Sequence, residues 1–92
     1  YENLTNSVGT ADNRPKLQIL SPNLKLGDQN GEVMKLQIML QYLGHFPAGI
    51  KVTGYFGGIS RKAVKDYQTS RNMTPSGLAD GQTIISINSN FI

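Results

Sequence analysis

Residues 30–44 read NGEVMKLQIMLQYLG, a run whose periodicity is helical. Val33, Leu36, Leu40 and Leu43 recur at the i, i+3, i+7 and i+10 positions that share one face of an α-helix. Asn30 stands where a side chain caps the free amides of a first turn, and Glu32 puts negative charge beside the positive helix end. Gly44 closes the segment, because glycine readily takes the left-handed conformation that ends a helix. The apolar face so formed needs cover from elsewhere in the chain.

That cover lies downstream. Residues 44–58, GHFPAGIKVTGYFGG, form a loop with five glycines and one proline. A second helix is expected from Ile59 or Ser60, with Ile59, Ala63, Val64 and Tyr67 on its apolar face and Arg61, Lys62, Lys65 and Arg71 on the other. It should stop before Pro75, whose ring disfavours helix in the preceding residue. Asp80 then reads as the cap of a short third helix carrying Thr83, Ile84 and Ile87. A faint repeat links the two longer helices: Val33-x-x-Leu36-Gln37 and Val64-x-x-Tyr67-Gln68 share one spacing, each after a glycine-containing turn. Phe56 and Tyr67 read as core anchors, the Tyr67 hydroxyl as a tip that can reach the surface. Gln37 and Gln68 read as side chains that tie down loop backbone. Helices this short are marginal alone, so packing must hold them, and the class expected is all-α, a small three-helix bundle.

Upstream the pattern changes. Residues 1–14 are rich in Asn, Thr, Ser and Gly without periodicity, and Lys16-Leu17-Gln18-Ile19-Leu20 then alternates like a strand before Ser21-Pro22 ends it. One strand is not stable alone, so it must lie on its own domain, pair with another chain or be mobile. The expected division is an extended N-terminal arm over 1–23 and a helical domain over 24–92. The chain begins with Tyr1 and no signal peptide is visible, which suggests a processed product or an excised piece.

Composition narrows the function. With 92 residues there is room for one domain, and 38% apolar with 16% charged residues is unlike a disordered polyelectrolyte or a coiled coil. No apolar run is long enough for a membrane span. The absence of cysteine removes disulfides, thiolate zinc sites and a cysteine nucleophile, and the single histidine, His45, has no second ligand at helical spacing. No metal, no cofactor and no catalysis are expected. Binding or assembly is the expectation.

Several motifs in order resemble one family. They are Leu26-Gly27-Asp28, then Gly31-x-Val33-x-x-Leu36-Gln37-x-x-Leu40-x-x-Leu43-Gly44, and Val52-Thr53-Gly54-Tyr55-Phe56-Gly57. Ala63-Val64-x-x-Tyr67-Gln68 and Ser76-Gly77-Leu78-Ala79-Asp80-x-x-Thr83 complete them. Together, over residues 24–87, they resemble the type 1 peptidoglycan-binding domain, a three-helix module of cell-wall hydrolases and envelope proteins. The resemblance implies a non-catalytic binding module, extracellular or in the cell envelope, whose partner is peptidoglycan or another bacterial wall polymer. Thr53-Gly54 stands where the family usually has Asp-Gly, Ser60 where Thr is common and Tyr67 where Phe is usual. These changes preserve packing but remove any ligand contact of that Asp. A related module is the propeptide of matrix metalloproteases, a role that a chain without cysteine does not fill.

Tyr42, His45, Phe46 and Tyr55 flank the long loop and are the ligand candidates, since flat aromatic faces suit glycan rings and wall peptides. Rings that merely cover the helix ends are the alternative. Arg61 and Lys65, with Lys62, offer positive charge to anionic wall groups, unless they form only a solvated helix face. Nucleic acid is not the expected partner, because Asp66 interrupts the basic patch and no base-reading helix pattern stands out. The sequons Asn3-Leu4-Thr5 and Asn72-Met73-Thr74 are too short to carry weight. The rival reading is a structural subunit that binds copies of itself into a filament or surface assembly. Its contacts would be Leu17, Ile19 and Leu20 of the arm and Phe91 and Ile92 of the tail, residues without use in a solvated monomer tail.

Overall fold

The computed structural model describes residues 14–92, so the first part of the arm and the Asn3 sequon lie outside the described residues. Three helices follow in order: α1 Gly31–Tyr42, α2 Gly58–Ser70 and α3 Gly81–Asn88, the last running into a 3-10 turn over Ser89–Phe91. No strand occurs among the described residues, only isolated bridges of Leu24 with Ala79 and Gln29 with Tyr55. The architecture is the expected all-α three-helix bundle.

Local chemistry sets the helix ends. The Asn30 side-chain oxygen accepts from the amides of Glu32 and Val33, each at 3.0 Å. Gly44, at φ +88°, takes the left-handed conformation just beyond α1. Asp80 caps α3 by accepting from the Thr83 amide at 2.9 Å. The α2 helix starts after Gly57 without a side-chain cap.

Val33, Leu36, Met39 and Leu40 of α1 meet Ala63, Val64 and Tyr67 of α2 and Ile84 and Ile87 of α3 in one core. Leu24, Phe56 and Ala79 plug it from the connecting segments. Burying each large aliphatic or aromatic side chain contributes roughly 1.5–3 kcal/mol. One packing expectation is corrected: Ile59 is 48% exposed while Ser60 is buried. Ser60 keeps the inward register with Ala63, Val64 and Tyr67, and its hydroxyl accepts from the Gln37 amide at 2.9 Å, so a polar residue occupies the inner position without loss. The Tyr67 hydroxyl does not reach the surface either; it bonds Ser86 Oγ at 2.6 Å and accepts from Asn90 Nδ2 at 3.2 Å.

The strand-like run 16–20 has no partner strand among the described residues. It lies against its own domain, with Ile19 buried in the core. The Ile19 amide donates to Asn88 Oδ1 at 2.8 Å, and Asn88 Nδ2 donates back to the Ile19 carbonyl at 3.0 Å. Lys35 Nζ donates to the Gln18 carbonyl at 3.0 Å, and Glu32 accepts from the amides of Leu20 and Ser21. Side chains of α1 and α3 thus satisfy the backbone groups that a neighbouring strand would otherwise take. Phe91 is likewise buried in its own chain, its ring edge-on to Tyr42 at 5.7 Å, which corrects the expectation that a monomer has no use for it. Leu17 is partly buried against the core, whereas Leu20 and Ile92 are exposed.

Candidate functional site

A groove of about 490 Å3 opens between the end of α2 and the start of α3. Asn72, Met73, Thr74, Ser76, Leu78 and Gln82 line it together with Gln68, Asp80 and Thr83. The chain turns there because Asn72 adopts φ +59° and the Met73 amide folds back onto the Gln68 carbonyl at 2.8 Å. Asparagine tolerates this left-handed conformation better than most side chains.

Gln68 holds the groove wall from inside. Its Oε1 accepts from the Gly77 amide at 3.0 Å, while Nε2 donates to the Leu78 carbonyl at 2.9 Å and to Thr83 Oγ1 at 3.1 Å. Asp80 contributes a carboxylate held below the usual aspartate range, first by the Thr83 amide and then by the Thr83 side chain. Asn72, Thr74 and Gln82 add amide and hydroxyl groups, and Met73 and Leu78 supply apolar surface. Such a lining hydrogen-bonds hydroxyls and amides and packs against the flat side of a ring or an alkyl group.

The sequence-predicted residues divide around this groove. A Cβ on Gly77 would lie 2.8 Å from Arg61 Cγ and 3.3 Å from Lys65 Cγ, so both cationic stems rest against the loop that forms the wall. Tyr42, His45, Phe46 and Tyr55 are not among its lining residues. Tyr42, 43% exposed, packs on Phe91 beneath the Arg14 guanidinium, and His45 stands edge-on to Tyr67 with centroids 5.6 Å apart. Phe46 belongs to the core. Tyr55 is half exposed on another segment, its ring lying over Gly57. The four do not form one aromatic platform.

Sequence reasoning missed Asn72, Thr74 and Gln82. The available signal was the second glutamine of the repeat together with the Ser76-Gly77-Leu78-Ala79-Asp80 run, which fix a loop whose outer side chains remain in solvent. Among the described residues no group of three His, Cys, Asp or Glu side chains could hold a metal ion, and no helix is long and apolar enough to cross a membrane.

Comparison with known proteins finds relatives of this fold. A family model described as "Putative peptidoglycan binding domain" matches residues 29–87. Among solved structures, the SleB N-terminal domain is 26% identical at TM-score 0.71, covering 76% of this chain and 93% of that one. A Burkholderia AP3 phage endolysin is 26% identical at TM-score 0.68, covering 76% of this chain but 26% of its own. A peptidoglycan-binding protein from Clostridioides difficile, solved with glutamine hydroxamate, is 23% identical at TM-score 0.67 and shares the fold; the match covers 75% of this chain and 42% of that one. No curated protein sequence matches the chain.

Proposed function

The chain belongs to the peptidoglycan-binding domain family, a cell-wall binding module, and from that premise we propose that it docks on peptidoglycan through the α2–α3 groove. It does so as a non-catalytic module working outside the cytoplasm or in the envelope. The observation that carries the choice of site is the polar groove whose wall Gln68 braces from within and whose flank bears Arg61 and Lys65. Wall glycan offers hydroxyls and acetamido groups, and the stem peptide offers amides and carboxylates. Asn72, Thr74 and Gln82 match the first set, and Arg61 and Lys65 match the carboxylates as a long-range attraction. Tyr42, His45 and Tyr55 lie on other segments and would serve as outlying contacts on a long glycan strand rather than as the primary site.

The test is co-sedimentation of the purified chain with wall sacculi. Thr74→Ala with Gln82→Ala removes exposed groove side chains that make no hydrogen bond among the described residues, and should weaken binding by about threefold to tenfold per lost hydrogen bond with the fold intact. Arg61→Ala with Lys65→Ala should lower binding at low salt and matter little at high salt. Undiminished sedimentation of the groove variant would move the site elsewhere on the domain.

A further inference from the structure

We infer that the docked segment 14–21 exchanges between copies of this chain, each copy laying its segment on the α1–α3 seat of a neighbour in place of its own. The seat chiefly reads backbone. Asn88 takes both the amide and the carbonyl of Ile19, Lys35 takes the Gln18 carbonyl, and Glu32 takes the amides of Leu20 and Ser21. Ile19 is the one fully buried side chain of the segment. The same segment from a second copy presents identical groups, so the seat binds it with the same contacts.

The connection to the body suits an exchange. Residues 22–23, Pro-Asn, separate the segment from Leu24, which the Ala79 bridge anchors to the domain. Pro22 is exposed, fixes its own φ and biases Ser21 toward extended backbone. Opening this joint unplugs Ile19 and leaves the helical core in place.

Exposed apolar surface favours the neighbour over the chain's own arm. Leu20 is 80% exposed on the segment itself, and Ile85 is 72% and Ile92 fully exposed near the seat. Gln18 and Ile92 border two grooves of about 420 and 290 Å3, one of them also lined by Ile85. The docked monomer leaves these side chains in water, and a second body brought alongside by the exchanged segment covers them. The seat residues Glu32, Lys35 and Asn88 are not among those that line the α2–α3 groove, so this inference does not rest on the wall-binding reading.

Absence of native cysteine allows a direct test on the full chain. One population carries a donor dye at Lys16→Cys and a second an acceptor at Ser89→Cys, both exposed positions. After mixing over a roughly hundredfold concentration range, energy transfer between populations should rise with concentration while light scattering shows at least a doubled mass. Leu20→Ser and Ile85→Ser, both at exposed sites that should not disturb folding, remove surface that only the neighbour covers and should each lower the association about tenfold or more. Monomer mass without transfer at every concentration would overturn the inference. So would association that both folded variants leave unchanged, since the interface would then lie elsewhere.

Discussion

Gln37 on α1 and Gln68 on α2 make the same bonds to the loop that follows each helix. Gln37 Oε1 accepts from the Gly54 amide at 2.8 Å, and its Nε2 donates to the Tyr55 carbonyl at 2.8 Å and Ser60 Oγ at 2.9 Å. Gln68 does this with Gly77, Leu78 and Thr83. Gly54 and Gly77 both have positive φ, at +85° and +81°, and the paired hydroxyl follows each glycine at the same interval, 54 to 60 and 77 to 83. The domain is therefore two overlapping helix–loop–helix units that share α2. In each, the glutamine satisfies buried loop backbone that no strand is present to pair.

Replacing either glutamine by alanine strands these buried groups, at a cost of about 1–3 kcal/mol for each group left unpaired. Thermal or urea unfolding should show comparable losses for Gln37→Ala and Gln68→Ala. Binding to sacculi should separate them. Gln68→Ala loosens the wall of the α2–α3 groove and should weaken binding beyond its effect on stability, whereas the Gln37 variant, refolded at low temperature, should bind nearly as well as the parent. Equal binding losses at matched stability would detach Gln68 from the site.

Gly77 is the position where backbone conformation and crowding coincide. Alanine there would be held at φ +81° with its Cβ 2.8 Å from Arg61 Cγ. Gly27, at φ +98°, has nothing within 4 Å of the same virtual atom. Gly27→Ala should therefore cost about 1–2 kcal/mol from the left-handed backbone alone. Gly77→Ala should cost more, because Arg61 must also move. Denaturant midpoints that rank the two the other way would mean that the Arg61 stem yields freely.

Phe56 and Ile59 show what was legible in the sequence and what was not. Spacing alone located the three helices, the Asn30 and Asp80 caps and the glutamine repeat, because each of these is a local signal. Phe56 was readable as an anchor from its place between glycines, and it is fully buried. Ile59 misleads because hydrophobicity alone points it to the inner face, while a hydroxyl paired with Gln37 makes Ser60 the inner residue. The groove was missed for a related reason: its outer residues are polar side chains with no periodicity, brought together only by the turn at Asn72. Phe56→Ala should destabilise by about 3–5 kcal/mol. Ile59→Ser should stay within about 0.5 kcal/mol of the parent, as surface substitutions usually do. A large loss for Ile59→Ser in calorimetry would count against its outward placement.

Glu32 couples the arm to α1 through a carboxylate, which makes the docking acid-sensitive. The Lys35 ammonium, and after it the amides of Leu20 and Ser21, hold Glu32 below the ordinary glutamate value of 4.5. A carboxylate whose folded pKa is depressed stabilises the folded form fully above its unfolded value and loses that contribution as pH falls through the folded one. The arm should thus stay docked at neutral pH and loosen in the acid range, by a modest amount because the pair is partly solvated. The amide resonances of Leu20 and Ser21 report it directly. They should shift with one midpoint below 4.5, and Glu32→Gln should abolish that titration while leaving the helix resonances in place. A midpoint at or above the ordinary value would mean that Glu32 does not hold the arm in solution.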